Sequence, residues 1–301
     1  MMLLSACLGA AMASPILEAV VSQHGVAWVR PDRSVAWVAA PGDPVSELGR
    51  AEGRVAMVAV GPGVVSTLGR SGQWVVFAFG AAPQRVEGPS GGGVAVAVAD
   101  GGRLVLAAGA DKVGSTATAR DVGPTLGPGT LWVLDRAAGS TTRMGGDGSA
   151  ITALAADHHG ARWVAGFASG LVRTWPDLVD RQVGAPVRAV ALDHDRLAAV
   201  TDSAVHLFAA EGTMATARAA AEVLGVELSA DAVVVHHVTG SVVWSGDGSA
   251  AALPASTRPP ARACAGQGDA TVCVLAGGGL LADGVVHSTD AAGPDPRLPA
   301  R

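Results

Sequence analysis

The chain contains no tyrosine, and aromatic residues make up only 4% of its 301 positions. The hydrophobic fraction is nevertheless 49%, so alanine, valine and leucine supply most of the apolar volume. The 41 glycines interrupt these residues at short intervals. Small and β-branched residues broken by frequent turn residues are typical of tightly layered β-structure. We therefore expect an all-β fold.

Positive charge is also scarce. Lys112 is the only lysine, and 21 basic residues stand against 26 acidic ones, which gives a net charge of -5. Binding to the phosphate backbone of a nucleic acid usually needs a basic surface. We therefore expect no nucleic-acid partner.

The apolar N-terminal segment, residues 1–13, is too short to cross a bilayer as a helix. It resembles an export signal, with a small-residue cleavage site after Ala13, and "LSAC" resembles a lipoprotein signal in which Cys7 is lipidated. The segment lacks a basic start, so an apolar first strand is the alternative. An export signal predicts a location in the periplasm or cell envelope, with a lipid anchor as the sole membrane contact. A first strand predicts a cytoplasmic protein.

Cysteine is rare, with three residues in the chain. Cys264 and Cys273 bracket "CAGQGDATVC", whose midpoint falls between the turn-forming residues Gly268 and Asp269. A hairpin centred there places the two cysteines opposite each other, with Cα atoms about 4.5 Å apart at a non-hydrogen-bonded pair. Lipidation of Cys7 leaves this one pair, which favours a disulfide in an oxidising compartment. The alternative is two buried thiols in a cytoplasmic protein.

Residues 14–301 contain one recurring unit. Unit four shows it best: an apolar strand at 151–156, a turn at "DHHG", a second strand at 162–167, a tight turn at Ser169 and Gly170, then "LVRTWPD". Similar units begin at Ile16, Val55, Val94, Ile151, Val187, Val223 and Ala263. Their successive spacings are 39, 39, 57, 36, 36 and 40 residues. Four short strands in about 40 residues are the pattern of a propeller blade, so we predict a single seven-bladed β-propeller.

Large side chains recur in the third strand of the unit. Phe77, Trp175 and Phe208 each follow the preceding turn position by five residues, and Leu134 holds that place in unit three. We expect these side chains to be wedged between adjacent blades. The alanine-rich stretch 213–225 favours a helix by propensity, but the period predicts an outer strand, a loop and the next inner strand there.

The segments "GLVRTWPD", residues 170–177, and "GTLWVLD", residues 129–135, end the third strand as in the WD40 family. The whole repeat resembles a WD40-type seven-bladed propeller over about residues 16–290. The Gly-His pair that usually precedes a blade is absent, so the family's hydrogen-bond tetrad is not carried over. The resemblance implies a monomeric interaction scaffold that binds a protein partner through its end-face loops.

Histidines near aspartates are the candidate metal ligands. His158 and His159 lie in a turn, but a zinc or copper site needs three or four convergent ligands, and the spacing indicates no third one. We interpret them as solvated turn residues and predict no metal site. Residues 193–195, Asp-His-Asp, form another short turn. His236 and His237 point to opposite faces of one strand, and we expect a histidine at this place to be hydrogen-bonded between blades.

The chain lacks H-E-x-x-H, P-loop and EF-hand motifs, and nothing in it implies a cofactor. A propeller enzyme can still assemble carboxylates from several blades. Asp32, Asp111, Asp202 and Asp283 are candidates at or near equivalent turns. The alternative function is therefore a propeller hydrolase or lyase at the mouth of the axial channel.

Unit three is 57 residues long, whereas the others span 36 to 40. The excess lies in "GADKVGSTATARDVGPTLGPG", between its second and third strands. Loops longer than about 12 to 15 residues are uncommon in compact domains and are often functional. Asp111, Lys112, Arg120 and Asp121 give this segment mixed charge suited to specific polar contacts, so we predict that it binds the partner. The alternative is a mobile loop without a function.

Overall fold

The structure is a computed structural model. It describes residues 16–110, 120–122, 129–145, 148–157, 162–194, 196–209, 212–218, 223–229, 232–237, 240–245, 250–252, 261–265, 272–275, 279–282 and 285–287. In residues 120–122 and in parts of the last three blades, the backbone alone is described. None of the described segments is a helix of the length and hydropathy needed to span a membrane.

Seven antiparallel sheets follow one another along the chain and form the seven blades. Blade 1 contains β1 (Glu18–Ser22), β2 (Gly25–Val29), β3 (Ser34–Val38) and β4 (Ser46–Arg50). Blade 2 contains β5 (Val55–Gly61), β6 (Val64–Gly69), β7 (Trp74–Ala78) and β8 (Gln84–Val86). Blade 3 contains β9 (Gly92–Ala99), a 3-10 turn (Asp100–Gly102), β10 (Leu104–Ala110), β11 (Arg120–Val122), β12 (Thr130–Asp135) and β13 (Ser140–Met144).

The later blades repeat the same order. Blade 4 contains β14 (Ile151–Ala156), β15 (Trp163–Phe167), β16 (Leu171–Trp175) and β17 (Asp180–Gln182). Blade 5 contains β18 (Val187–Asp193), β19 (Arg196–Thr201), β20 (Ala204–Ala209) and β21 (Gly212–Arg218). Blade 6 contains β22 (Val223–Ser229), β23 (Ala232–His237), β24 (Gly240–Ser245) and β25 (Ala250–Ala252). Blade 7 contains β26 (Ala261–Ala265), β27 (Val272–Leu275), β28 (Leu280–Ala282) and β29 (Val285–His287).

The predicted all-β propeller is confirmed. Each predicted unit start lies within two residues of the first residue of an inner strand, from β1 to β26. The stretch 213–225 also follows the period rather than helix propensity, because β21 and β22 occupy its two ends. Helix propensity does not decide the structure here because β21 pairs with β20 along its whole length.

The apolar core lies between blades. Six clusters of buried side chains each join two neighbouring blades, and in the cluster between blades 2 and 3 Trp74 packs with Val98 and Trp132. The predicted third-strand side chains Phe77 and Trp175 are buried in such clusters. Radial stacking of blades therefore buries the faces that a single sheet leaves open.

Blade 7 lies against blade 1 and closes the ring. Ile16, Trp28 and Val38 of blade 1 pack with Val274 and Leu280 of blade 7. The sheet of blade 7 consists of β26, β27, β28 and β29 in chain order, so its four strands come from one end of the chain. Within the described residues the ring is therefore closed by side-chain packing. Residues 1–13, which are predicted to form either the export signal with Cys7 or the alternative N-terminal strand, fall outside the described residues.

Cys264 and Cys273 lie opposite each other in β26 and β27, as the hairpin register predicted. Their Cα atoms are 4.1 Å apart and their sulfur atoms lie at disulfide-bonding distance. Both residues are buried, and Leu281 packs against them. The short Cα separation agrees with a non-hydrogen-bonded pair.

Inner strands begin with a β-bulge in six of the seven blades. The residues skipped in the pairing are Ala56, Val94, Thr152, Arg188, Leu224 and Arg262. A bulge leaves one residue unpaired and re-aims its side chain. Thr152 uses this freedom to donate a hydrogen bond of 2.7 Å from Oγ1 to the Val187 carbonyl of the next blade.

Candidate functional site

The propeller has two ends, which we name by their turns. The insertion face carries the turns between second and third strands, including the blade-3 insertion. The hairpin face carries the turns between first and second strands. An axial channel of about 760 Å³ is lined mostly by valine, alanine and leucine from the parts of the inner strands nearest the hairpin face.

The insertion is not only a loop, which corrects the prediction made from its length. Its residues Arg120–Val122 form β11, a fifth strand at the outer edge of blade 3. β11 pairs in parallel with β13, with Asp121 opposite Arg143. Arg120 and Asp121 are thus carried out to the blade edge, whereas Asp111 and Lys112 lie outside the described residues. The free outer edge of β13 accounts for this difference, because an unpaired strand edge can accept another strand.

The predicted carboxylates of the insertion face do not converge in the part that is described. Asp32 and Asp202 belong to blades 1 and 5, which are not neighbours in the ring. The backbone N–H and hydroxyl of Ser34 donate to Asp32 and lower the pKa of its carboxyl. Arg188 binds Asp202 at 2.7 Å and lowers the pKa of that carboxyl. Asp111 and Asp283 lie outside the described residues.

The structure instead brings a different set together at the hairpin-face mouth of the channel. Asp157, Asp193 and His194 each offer a ligand atom, and these atoms all lie within 4.8 Å of one another. Asp157 is buried, with 6% of its surface exposed, and follows β14 directly. His194 Nδ1 lies 2.8 Å from Asp193 Oδ1.

Sequence reasoning treated these residues as separate turns and therefore missed the group. Asp157 and Asp193 are 36 residues apart, which is the spacing of units four and five. One period along the chain places two residues at the same level of adjacent blades. The signal was therefore present in the repeat spacing. His158, His159 and Asp195, the other residues of these two turns, lie outside the described residues.

A second histidine contact lies in the wall of blade 6. His236 is 0% exposed, and its Nε2 lies 3.1 Å from Glu227 Oε1. Glu227 lines the channel from β22. The expected hydrogen-bonded histidine between blades is thus found within blade 6, while the side chain of His237 is outside the described set.

His206 gives a prediction for the pH dependence of stability. Burial lowers the pKa of its imidazole below the ordinary value of 6.5. As the pH falls through the ordinary value, His206 is protonated in the unfolded chain before it is protonated in the folded chain. The free energy of unfolding therefore decreases until the pH reaches the lower pKa of the folded chain. We expect the melting temperature to fall between about pH 7 and pH 5, and to fall less in a His206→Gln variant. Thermal unfolding of both chains across this range is the measurement, and identical slopes would contradict the assignment.

Comparison with solved structures supports the fold. No family model matches the sequence, and no curated protein matches it. A chain of the mitotic checkpoint complex is 15% identical over 87% of this chain and 89% of its own, with a TM-score of 0.66. The WD40 repeats of RRP9 are 14% identical over 87% of each chain, with a TM-score of 0.65. U3-55K is 15% identical over 87% of this chain and 88% of its own, with a TM-score of 0.61. The chain therefore has the fold of a WD40-like seven-bladed propeller.

Proposed function

We propose that this protein is a non-enzymatic scaffold that binds a protein partner through its insertion face. The observation that carries the proposal is the extra chain in blade 3, where 19 residues separate β10 from β12. In blade 5 only two residues separate the corresponding strands, β19 and β20. A blade therefore closes without such an insertion, and a long connection in a compact domain is often functional. The fold likeness agrees with a scaffold, but this support is by analogy alone.

The position of β11 suggests how the insertion binds. The strand adds a polar segment, Arg-Asp-Val, to the outer edge of blade 3. Asp111 and Lys112 precede this strand in the sequence and lie outside the described residues. A partner that contacts both the rim and the edge would meet charges of both signs, which favours specific polar contacts at the border of an interface.

Deletion of residues 112–126 is expected to abolish capture of the partner. The deletion removes β11 and most of the residues that link it to β10 and β12, but leaves the four strands that complete blade 3, so the melting temperature should change little. The measurement is affinity capture from the native host with intact and deleted chains, with bound proteins identified by mass spectrometry. Equal capture by the two chains would show that the insertion is not the binding site.

One observation favours the alternative function, a hydrolase or lyase at the channel mouth. Asp157, Asp193 and His194 converge there, and a carboxylate beside an imidazole is the arrangement that orients a general base. The same ligand types also suit a divalent cation. Turnover of a panel of ester and glycoside substrates that is lost in Asp193→Asn would favour the enzyme. Capture of a partner without such turnover favours the scaffold.

We also infer that the protein is exported. The support is the Cys264–Cys273 pair at bonding distance, because disulfides persist in oxidising compartments. The lipoprotein-like segment around Cys7 agrees with a cell-envelope location, and the cytoplasmic alternative requires two free thiols at these positions.

A further inference from the structure

Three arginines on the insertion face are exposed and have no side-chain hydrogen bond or ion pair within the described part of the chain: Arg33, Arg54 and Arg70. The other arginines whose side chains are described each have a polar, ionic or ring partner. Among the described side chains, unpartnered positive charge is therefore concentrated on one end of blades 1 and 2. This is notable in a chain whose net charge is -5.

Backbone hydrogen bonds show that the three arginines follow one another along the rim. The Ala51 N–H donates to the Arg33 carbonyl at 2.9 Å, and the Arg70 N–H donates to the Arg54 carbonyl at 2.8 Å. The Arg70 carbonyl faces blade 3, since a Cβ on Gly92 would lie 2.8 Å from its oxygen. The arginines thus lead from blade 1 toward the blade that carries the insertion.

Exposed apolar side chains occur on the same end of blades 1, 2 and 3. Leu17, Met57 and Val94 are 42%, 38% and 39% exposed, and they lie at the beginning of the inner strands of blades 1, 2 and 3. We call these three residues together with Arg33, Arg54 and Arg70 the arginine strip. The remaining large apolar residues that are exposed in the described part are Leu178 and Val179, beyond β16, and Val285 and Val286 in β29.

We propose that the arginine strip binds a segment of a partner protein that combines carboxylates with aliphatic side chains. The proposal rests on the scaffold function and specifies the chemistry of its partner. Guanidinium groups form bidentate hydrogen bonds with carboxylates, and aliphatic side chains of the segment would cover Leu17, Met57 and Val94. A single-stranded nucleic acid fits less well, because such sites stack bases on exposed aromatic rings and none of the described aromatic side chains is exposed.

Selection of peptides from a random twelve-residue display library on the full-length chain tests the proposal. We expect the enriched peptides to combine aspartate or glutamate with leucine, isoleucine, valine or methionine. The affinity of a synthetic enriched peptide, measured by fluorescence anisotropy, should fall about tenfold or more for R33Q/R54Q/R70Q. This loss is expected because the variant removes several charge pairs, each of which contributes weakly. It should also weaken with added salt, because exposed charges are screened.

The matched control for charge is R103Q/R162Q/R173Q, which removes the same number of charges from arginines of blades 3 and 4 that have carboxylate partners away from the strip. Met57→Ser should weaken binding, whereas Leu178→Ser on the other end should not. Arg33, Arg54 and Arg70 form no side-chain hydrogen bond or ion pair within the described part of the chain, so their replacement should leave the melting temperature unchanged. Equal loss of binding in the two triple variants would mean that net charge, not the strip, is responsible, and would overturn the proposal.

Other results would overturn it as well. These are the absence of enriched peptides, enrichment of peptides without acids, and tighter binding of a labelled oligothymidylate that R33Q/R54Q/R70Q abolishes. The scaffold function fails separately. If the native partner binds the triple variant as well as the intact chain, the scaffold stands and the arginine strip is wrong. If affinity capture yields no specific partner, the scaffold function itself is wrong.

Discussion

Replacement of Trp28 by alanine is expected to lower the free energy of unfolding by about 3–5 kcal/mol, the cost of truncating a fully buried aromatic side chain. Trp28 is 0% exposed and packs between blade 1 and blade 7, against residues that include Val274 and Leu280. These blades come from opposite ends of the described chain, and within the described residues side-chain packing holds them together. A cavity at this position therefore weakens the closure of the ring. Urea unfolding followed by far-UV circular dichroism is the measurement.

Trp28→Phe is the matched control for that variant. It keeps most of the apolar ring and removes an indole N–H that has no hydrogen-bond partner among the described residues. An unsatisfied buried donor costs about 1–3 kcal/mol, so its removal offsets part of the lost volume. We expect the phenylalanine variant to lose less than half as much stability as the alanine variant. Val285→Ser, at an exposed position of blade 7, should change stability by no more than about 0.5 kcal/mol. An alanine variant as stable as this surface variant would refute the role of Trp28.

Loss of the Cys264–Cys273 bond is expected to cost about 2–3 kcal/mol, as calculated for a short closed loop. The two cysteines are 9 residues apart and face each other across the first hairpin of blade 7. The bond restricts the unfolded chain and leaves the folded pairing of β26 and β27 as it is. C264A/C273A should therefore unfold at lower urea concentration than the oxidised chain. It should match the chain treated with a reductant, since both lack the same constraint.

The native oxidation state tests export together with the bond. Intact mass and alkylation of the protein from its native host should show that neither Cys264 nor Cys273 reacts and that residues 1–13 have been removed or Cys7 lipidated. Two alkylated thiols at 264 and 273, on a chain that still carries residues 1–13, would refute both export and the bond. In that case the reduced and untreated chains should also unfold at the same urea concentration.

The number of blades and the positions of their inner strands were predictable because the signals are local and repeated. Each blade contains short apolar runs between turn residues, and seven copies of one pattern outweigh a single stretch of contrary propensity such as 213–225. The register of Cys264 and Cys273 was predictable for the same reason, since a hairpin centred on its turn residues sets which positions face each other. Burial of Phe77 and Trp175 followed from their constant place in the third strand.

Contacts between blades were decided by the tertiary structure. Asp157 and His194 meet because adjacent inner strands end at the same level. Arg33, Arg54 and Arg70 differ from the other described arginines because those have hydrogen-bond, ionic or ring partners, and only the folded structure shows this difference. β11 formed where the outer edge of β13 was free to pair. Local pattern determines strands and turns because it depends on neighbours in the chain. Which side chains meet across blades, and which charges stay without a partner, depends on closure of the ring, which brings together residues that are far apart in sequence.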